Sequence, residues 1–315
     1  MDKKGFTAYL EAKNLANATI AYYVKCVNMF FRHIQKGEEE ITKPDILKYL
    51  EHLKGSRKQQ NITRKNRLIA LNHYFTYLYQ NEQITVNPCL FLKIRGTKRK
   101  TLYKIYSPDE IDALFDAYYL LFVRNYDDSH IPKNQRKQSA LSKERNALIL
   151  SVLAYQGTTT GEIENIEIDD LDLIKATLKI RGSKKHNERT LPLKAAQMGL
   201  FMRYLQNIRP QILEYHRTET GKLFLPLPEF SKKDTNSNAL NDVIRKRLAR
   251  QIKTVDNKFV GFKQLRASVI TFWLKSHGLR KTQYLAGHKW ISSTEDYLPN
   301  DLDDLANDIT KLHPF

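Results

Sequence analysis

The stretch that decides the fold lies near the end of the chain and reads Lys263-Gln-Leu-Arg266, then Ala286-Gly-His288, then Tyr297. The histidine follows the arginine by 22 residues, and the tyrosine follows the histidine by nine. Apolar runs over 269–274 and 279–285 predict two short helices in this region. A phenol can attack a phosphodiester while an arginine and an imidazole hold the non-bridging oxygens of the transition state. The spacing therefore predicts a phosphoryl-transfer site with Tyr297 as its nucleophile.

This stretch resembles the active-site sequence of the tyrosine recombinases, the integrases of the Xer and phage type. Residues 287–297 read G-H-K-W-I-S-S-T-E-D-Y and are similar to the family's L-G-H-x-x-I-x-T-T-x-x-Y ending. Leu265-Arg266 is similar to the H-x-L-R box of the family. The resemblance implies that Tyr297 forms a 3′-phosphotyrosyl link with DNA, and that Arg266, His288 and Lys263 stabilise the phosphorane.

Lys263 departs from the family pattern, which usually has a histidine at this position. A K-x-x-R is similar to the type IB topoisomerases, relatives that use the same phosphotyrosine chemistry. A lysine donates a charged hydrogen bond to a phosphate oxygen much as a histidine does. We therefore expect Lys263 to act on the phosphate, and an ordinary surface lysine before a helix is the alternative.

Length and composition indicate a protein of about two domains. Of the 315 residues, 41% are hydrophobic, and no stretch approaches the ~20 apolar residues that a membrane span needs. The first residues show no apolar signal region, so we expect a cytoplasmic protein. Cys26 and Cys89 form no C-x-x-C motif, and each is expected to be a free buried thiol rather than part of a disulfide or a zinc site.

The charge of the chain indicates a polyanionic partner, most simply nucleic acid. The net charge is +18 and the pI is near 9.6, although a solvated basic surface is the alternative explanation. Residues 1–100 hold 19 Lys or Arg against 8 Asp or Glu, which is more than half of the excess. We therefore expect the first third of the chain to contact the phosphate backbone.

Four helices are predicted in this first third, over about 6–13, 18–34, 42–53 and 61–79. A set of basic residues lies opposite the apolar stripe of the fourth helix and in the turn before it, where it is well placed to bind phosphates: Arg57, Lys58, Arg64, Lys65 and Arg67.

The same segment resembles the SAM-like core-binding domain at the N-terminus of the tyrosine recombinases. The similar residues are Phe6-Thr-Ala-Tyr-Leu, Ala18-Thr-Ile-Ala-Tyr-Tyr, Ile41-Thr-Lys-Pro-Asp-Ile-Leu and Asn87-Pro88. The resemblance therefore covers nearly the whole chain. It implies a mainly α fold with a small β-sheet, in which two domains close as a C-shaped clamp on DNA.

The chain is accordingly divided into a helical core-binding DNA-binding domain over 1–96, a basic linker over 97–106 and a catalytic domain over 107–315. The linker contributes Lys98, Arg99 and Lys100, which we expect to lie along a DNA backbone. Ser107-Pro-Asp-Glu110 predicts the first helix of the catalytic domain, because a serine cap, a proline and a glutamate stand at the positions of a capping box.

One position of the family's active site is missing. Gln156-Gly-Thr-Thr-Thr-Gly-Glu-Ile163 aligns with the family's T-G-L-R-x-x-E-L, so Thr159 stands where the first catalytic arginine belongs and Glu162 matches a structural glutamate. The loss of one positioned charge from a phosphoryl transition state costs about 100- to 1000-fold in rate. Either another cation replaces the arginine, or the reaction is slow or absent.

A β-hairpin is predicted after this motif, from strand-like runs over 166–171, 177–181 and 190–193. It resembles the family's G-K-G-x-x-x-R-x-V-P-L element, which implies that Lys184 protonates the leaving 5′-oxygen. A shift of one residue in the alignment would give this role to Lys185. Arg189 is expected to be a solvated turn residue, and 126–142 is expected to be an irregular loop.

The end of the chain predicts an acidic amphipathic helix over 301–312, with Leu302, Leu305, Ile309 and Leu312 as its apolar stripe. In the family such a helix docks on the neighbouring protomer, and packing on its own domain is the alternative. Because the family works in tetramers on paired sites, the resemblance implies a homo-oligomer on DNA.

These observations favour site-specific DNA recombination by a tyrosine-type recombinase, for a mobile element or for DNA inversion or integration. The reaction needs no metal and no other cofactor, because the phosphotyrosyl bond stores the energy for religation. A recombinase-derived DNA-binding protein whose catalysis has lapsed is the alternative that Thr159 favours. A topoisomerase of type IB is a further alternative.

Overall fold

The computed structural model describes residues 1–96, 103–184, 186–216, 220–227, 240 and 243–300. The chain divides into two compact units, Met1–Thr101 and Leu102–Phe315. Each unit has its own apolar core. The linker residues Lys98, Arg99 and Lys100 lie outside the described residues, and so does the predicted helix over 301–312.

The first unit is made of four helices: α1 (Lys3–Ala12), α2 (Asn17–Ile34), α3 (Lys43–Gly55) and α4 (Asn61–Gln80). Their apolar faces meet in a core rich in aromatic rings, where Phe6, Phe30 and Phe75 are fully buried. The ring of Phe6 meets the ring of Tyr74 edge to face, with 4.9 Å between their centroids. Cys26 and Cys89 are free, buried thiols, as the sequence predicted.

The second unit is built around two long helices, α6 (Lys133–Tyr155) and α11 (Phe262–Ala286). Shorter α-helices surround them: α5 (Pro108–Tyr119), α7 (Thr160–Ile163), α8 (Ala195–Arg203), α9 (Arg209–Leu213), α10 (Ala249–Val255) and α12 (Ser292–Glu295). Ser107 caps α5 in the capping box that the sequence predicted, since its hydroxyl accepts from Glu110 N at 3.1 Å and its N–H donates to Glu110 Oε2 at 2.9 Å.

The prediction of an irregular loop over 126–142 is wrong in its second half. Helix α6 begins at Lys133, directly after Pro132, which precedes it as its N-cap residue. The polar residues at the start of α6 masked its helical periodicity in the sequence. From Leu141 onward the helix is buried on nearly all sides and forms the centre of the second core.

A small antiparallel sheet flanks these helices in the order β1 (Leu171–Asp172), β2 (Thr177–Ile180), β3 (Arg189–Pro192). The hairpin of β2 and β3 agrees with the prediction. The strand predicted over 166–171 is wrong, because Ile168–Asp170 forms a 3-10 turn. The Asp170 carboxylate accepts from Glu167 N at 2.8 Å and holds that turn closed. Before the turn the run forms only an isolated antiparallel bridge, from Glu167 to Lys222.

Helix α11 joins the two short helices predicted over 269–274 and 279–285 into one element with a kink. Gly278 lies inside it with φ 73° and ψ 178°, outside the helical region, at the point between the two predicted runs. The helix ends at Gly287, which has φ 68°. Within the described residues, no helix is long and apolar enough to cross a membrane.

Candidate active site

The Arg266 side chain is locked in place by hydrogen bonds to backbone carbonyls. It lies on α11, is 6% exposed, and its Nη1 donates to Gly157 O at 2.5 Å. Its Nη2 donates to Ala286 O at 2.8 Å, so one guanidinium ties the end of α6 to the end of α11. Burial lowers the pKa of Arg266, while Glu162 and Tyr297 oppose that shift. The arginine stays charged in its fixed position.

The His288 imidazole lies against this arginine. Its Nε2 is 3.2 Å from Arg266 Nη2, and its Nδ1 is 2.9 Å from the Thr294 hydroxyl. Because a guanidinium only donates, Nε2 must accept, and the proton of the neutral ring lies on Nδ1 and is donated to Thr294. Burial, followed by the charges of Arg266 and His186, lowers the pKa of His288 to about 4. His288 is therefore neutral at physiological pH.

Tyr297 completes the group. Its ring stacks on the His288 ring with 5.7 Å between centroids and 16° between planes. Its backbone N–H donates to Thr294 O at 3.0 Å. The short helix α12 therefore fixes the positions of both Tyr297 and Thr294, the residue that hydrogen-bonds to His288. The tyrosine side chain is half-buried. The structure thus brings Arg266, His288 and Tyr297 together, as the spacing predicted.

Thr159, which the sequence pattern aligns with the family's first arginine, caps the short helix α7. Its backbone N–H and its hydroxyl donate to Glu162 Oε2 at 2.7 and 3.0 Å. The other carboxylate oxygen accepts from Arg189 Nη1 at 2.7 Å, and Arg266 Nη1 is 3.9 Å away. Burial alone raises the pKa of Glu162, but Arg189 and Arg266 overcome that effect and lower it to about 2.

The expectation that Arg189 is a solvated turn residue is wrong. Its side chain is 1% exposed and forms a buried ion pair with Glu162. The sequence did contain a signal. Side chains alternate along a strand, and Leu191, two residues later in β3, is buried on the same face. A turn-like composition hid that alternation.

Gly287 precedes the histidine at a point where no side chain fits. A Cβ atom there would lie 2.5 Å from Arg189 Nη1 and 2.9 Å from Asn187 O, and the φ of 68° favours glycine in any case. The β-hairpin therefore packs directly on the Gly287-His288 corner. Asn187 N donates to Gly287 O at 2.8 Å, and His186 forms an antiparallel bridge with His288.

The two lysines assigned to the site, Lys184 and Lys263, lie on different elements. Lys184 is exposed at the turn of the hairpin, two residues before His186, which bridges to His288. Lys185 lies outside the described residues. Lys263 is exposed on α11, three residues before Arg266. In the part of the chain that the structure describes, no hydrogen bond or ion pair joins Lys263 to Arg266, His288 or Tyr297. Both lysines are in reach of a ligand from solvent.

The basic residues assigned to DNA contact divide into two groups. Arg57, Lys58 and Lys65 are exposed. The Arg64 guanidinium instead donates to Leu50 O at 3.0 Å, and Arg67 Nη1 donates to the Tyr49 hydroxyl at 3.2 Å. Among the described residues, no cluster of His, Cys, Asp and Glu has the composition of a metal site.

Sequence reasoning missed two residues around the group, Thr294 and His186. Thr294 is fully buried, and its hydroxyl accepts the hydrogen bond from His288 Nδ1. It lies on the T-T of the family's pattern, which is the signal that was available. The signal for His186 is weaker, because its contact with His288 depends on how the hairpin packs rather than on local sequence.

Comparison with known proteins supports the family resemblance found in the sequence. Residues 130–302 match the Phage integrase family, and residues 4–85 match the family described as Phage integrase, N-terminal SAM-like domain. A tyrosine recombinase XerC from Anoxybacillus flavithermus is 25% identical over 98% of this chain and 96% of its own. A tyrosine recombinase XerA from Pyrococcus furiosus is 26% identical over 93% and 87% of the two chains.

Solved structures share the fold. The post-cleavage complex of the XerH site-specific recombinase with a palindromic difH substrate matches with a TM-score of 0.68 at 21% identity, over 96% of this chain and 82% of that one. A lambda integrase tetramer bound to a Holliday junction matches with a TM-score of 0.59 at 15% identity, over 92% and 77%. The mainly helical fold with a SAM-like N-terminal domain is that of tyrosine recombinases. This chain belongs to the phage integrase family.

Proposed function

We propose that this chain is an active tyrosine-type site-specific recombinase, which cleaves and rejoins double-stranded DNA through Tyr297. The observation that carries the proposal is the buried contact of Arg266 with His288, on which the Tyr297 ring is stacked. The family and its recombinase relatives support site-specific DNA recombination as the function, and they support neither alternative above it.

In the proposed reaction, the Tyr297 oxygen attacks the scissile phosphorus and the bond to the 5′-oxygen breaks. The phenol loses its proton, and the leaving 5′-oxygen takes one from Lys184, which stands exposed on the hairpin turn. Arg266 and Lys263 stabilise the charge on the non-bridging oxygens. His288, which the sequence also assigned to this task, is proposed instead to hold the Arg266 guanidinium, because its Nε2 accepts from Arg266 and its Nδ1 donates to Thr294. Arg266 is preorganised for this role, because two carbonyls and His288 already fix its guanidinium. The reaction needs no cofactor.

A trapping experiment tests the activity. The DNA site is first selected from random duplexes with the Tyr297→Phe protein, and nicked duplexes of that site are then offered to the wild type. An adduct that survives denaturation, and that the Phe variant fails to form, is the expected result. Tight binding without an adduct would support the lapsed DNA-binding protein instead. Relaxation of any supercoiled plasmid would support the topoisomerase.

The first unit is proposed to bind the phosphate backbone through its exposed cations. Arg57, Lys58 and Lys65 are free to reach DNA, whereas the guanidinium groups of Arg64 and Arg67 donate within the unit. Neutralising one phosphate contact reduces the slope of log K against log salt by about 1. Lys65→Gln is expected to reduce the slope in this way. Arg67→Gln, the matched control, should leave it unchanged, and the reverse pattern would contradict the assignment.

The acidic segment 301–312 is proposed to dock on a second copy of the chain, in a groove of the second unit. The groove has a volume of about 360 Å³, an apolar floor that includes Leu191, Trp273 and Leu285, and a basic side with His277 and Lys281. Its charge complements the aspartates of the segment. We expect Lys281→Glu to weaken assembly on DNA, and Asp304→Lys in the same chain to restore it. Sedimentation of the DNA complexes measures both, and unchanged assembly in the single variant would contradict the groove as the docking site.

The cytoplasmic location that the sequence predicts stays a prediction.

A further inference from the structure

The group around Tyr297 has one cation fewer than the family pattern, because Thr159 aligns with the family's first arginine. The polar atoms of Thr159 cap α7. The Glu162 carboxylate accepts from Thr159 through one oxygen and from Arg189 through the other. Arg189 brings a positive charge near His288, but its side chain is fully buried and tied to Glu162. Its Nη1 is held by Glu162, and its Nε and Nη2 are buried and donate to no described group, so Arg189 presents no donor at the surface. An exposed group beside His288 can supply the missing donor without any rearrangement.

His186 meets this condition. It is half-exposed, and it lies in the hairpin turn two residues after Lys184. The turn is closed by two hydrogen bonds, Ser183 N to His186 O at 2.8 Å and His186 N to the Ser183 hydroxyl at 3.0 Å. The backbone at His186 is thus held by a structured turn.

The turn is also fixed on the candidate active site. Its backbone bridges from His186 to His288, and Asn187 N donates to Gly287 O at 2.8 Å. The two imidazole rings are 6.5 Å apart between centroids, and the His288 ring in turn stacks on Tyr297. Hence the His288 ring lies beside both the His186 ring and the Tyr297 ring.

We propose that the His186 imidazole donates a hydrogen bond to the scissile phosphate and so takes over part of the work of the arginine that position 159 lacks. An imidazole carries an N–H donor in either protonation state, and an anionic phosphate favours its charged form. His288 cannot fill this role in the same way, because its only proton is donated to Thr294. The inference rests on the proposed function, since it names a further catalytic residue for that reaction.

The test compares rates of adduct formation on the selected nicked duplex. His186→Phe keeps the ring shape and removes both nitrogen atoms, and we expect it to slow the reaction about 100-fold, the typical cost of one lost transition-state donor. His186→Gln keeps one N–H donor and should lose less. His130→Phe makes the same change at an exposed histidine outside the site and should react like the wild type.

Two further arms separate charge from shape. Thr159→Arg in the His186→Phe background restores the family's arginine and should recover most of the lost rate. A duplex with a neutral methylphosphonate at the scissile position has less charge to stabilise, so the gap between wild type and His186→Phe should shrink on it. His186→Leu supplies the same loss of donor if the Phe variant fails to fold.

The outcomes are distinguishable. A normal wild-type adduct together with an unchanged rate in His186→Phe overturns this inference and leaves the proposed function standing. A slow reaction that is explained entirely by weaker DNA binding also overturns it. The absence of any wild-type adduct overturns the proposed function, and this inference with it.

Discussion

The proton of His288 lies on Nδ1, where the Thr294 hydroxyl accepts it. That single contact leaves Nε2 as the unprotonated nitrogen, and this is the nitrogen that accepts from Arg266. Burial and the charges of the neighbouring Arg266, His186 and Arg189 favour the uncharged ring, which keeps His288 neutral beside the two buried arginines. At the scale of the residue, the candidate site is thus organised by a threonine that contacts no substrate in the proposed reaction.

Thr294→Val tests this contact. The variant keeps the shape of the side chain but leaves the Nδ1 proton without its acceptor, and an unsatisfied buried polar group costs about 1–3 kcal/mol. We expect the free energy of unfolding to fall by that amount and adduct formation to slow. Thr294→Ser keeps the hydroxyl and should behave like the wild type. Equal behaviour of the Val and Ser variants, measured by urea unfolding, would show that the hydrogen bond is unimportant.

Much of the residue-scale picture was available from the sequence, and the exceptions have a physical reason. The spacing of Arg266, His288 and Tyr297 predicted a group that the structure does bring together. The burial of Arg189 was not predicted, since its partner Glu162 lies 27 residues away in the chain. Pairs that form only through tertiary packing leave little trace in local sequence.

At the scale of the element, the Gly287-His288 corner is where the hairpin and α11 meet. The glycine ends α11 with a left-handed φ, and the guanidinium of Arg189 passes over the place where a side chain would start. Sequence patterns predicted the helices and the hairpin here. They did not predict that the hairpin packs against this corner. The contact is a single bridge between His186 and His288, and one residue pair leaves no periodic pattern in the sequence.

Gly287→Ala should therefore destabilise the second unit and the site together. A left-handed φ alone costs about 1 kcal/mol for a residue other than glycine, and the close approach of Asn187 O adds to that. The matched control is Gly199→Ala in the exposed face of α8, where a Cβ meets nothing within 4 Å. The control should be more stable than the wild type by roughly 0.5–1 kcal/mol. Thermal unfolding measures both, and a Gly287→Ala protein as stable as the control would contradict the packing described.

At the scale of the whole molecule, each unit has its own core, and the polar network of the candidate site belongs to the second unit alone. Both tryptophans of the chain, Trp273 and Trp290, lie in this unit, so their fluorescence reports its unfolding separately. The broad division into helical units was predictable from charge and periodicity. The start of α6 at Lys133 was not, because polar residues fill its first turns.

Acid should weaken the second unit. The pKa of His288 is lowered to about 4 from 6.5, and that of Glu162 to about 2 from 4.5. In both cases the unfolded chain takes up a proton before the folded one does, so this stability is present above the unfolded pKa and is lost as pH falls through the folded one. From pH 7 to pH 4, where His288 dominates, we expect the free energy of unfolding to fall by about 1–3 kcal/mol.

Urea unfolding followed by tryptophan fluorescence at pH 7, 5.5 and 4 measures this loss. His288→Gln should show a flatter dependence on pH, because the titrating group is gone. His277→Gln, at an exposed histidine of α11, should keep the wild-type dependence. A His288→Gln protein with the full wild-type dependence would contradict the assignment of the acid sensitivity to His288.

The most direct test of the central claim is to identify the residue that becomes attached to DNA. The adduct formed on a nicked duplex of the selected site is digested with protease and nuclease, and the mass of the peptide that carries a nucleotide is measured. We expect a 3′-phosphate linked to Tyr297, and no linked peptide from the Tyr297→Phe protein. A nucleotide found on any other residue, or an adduct that persists in Tyr297→Phe, would contradict it.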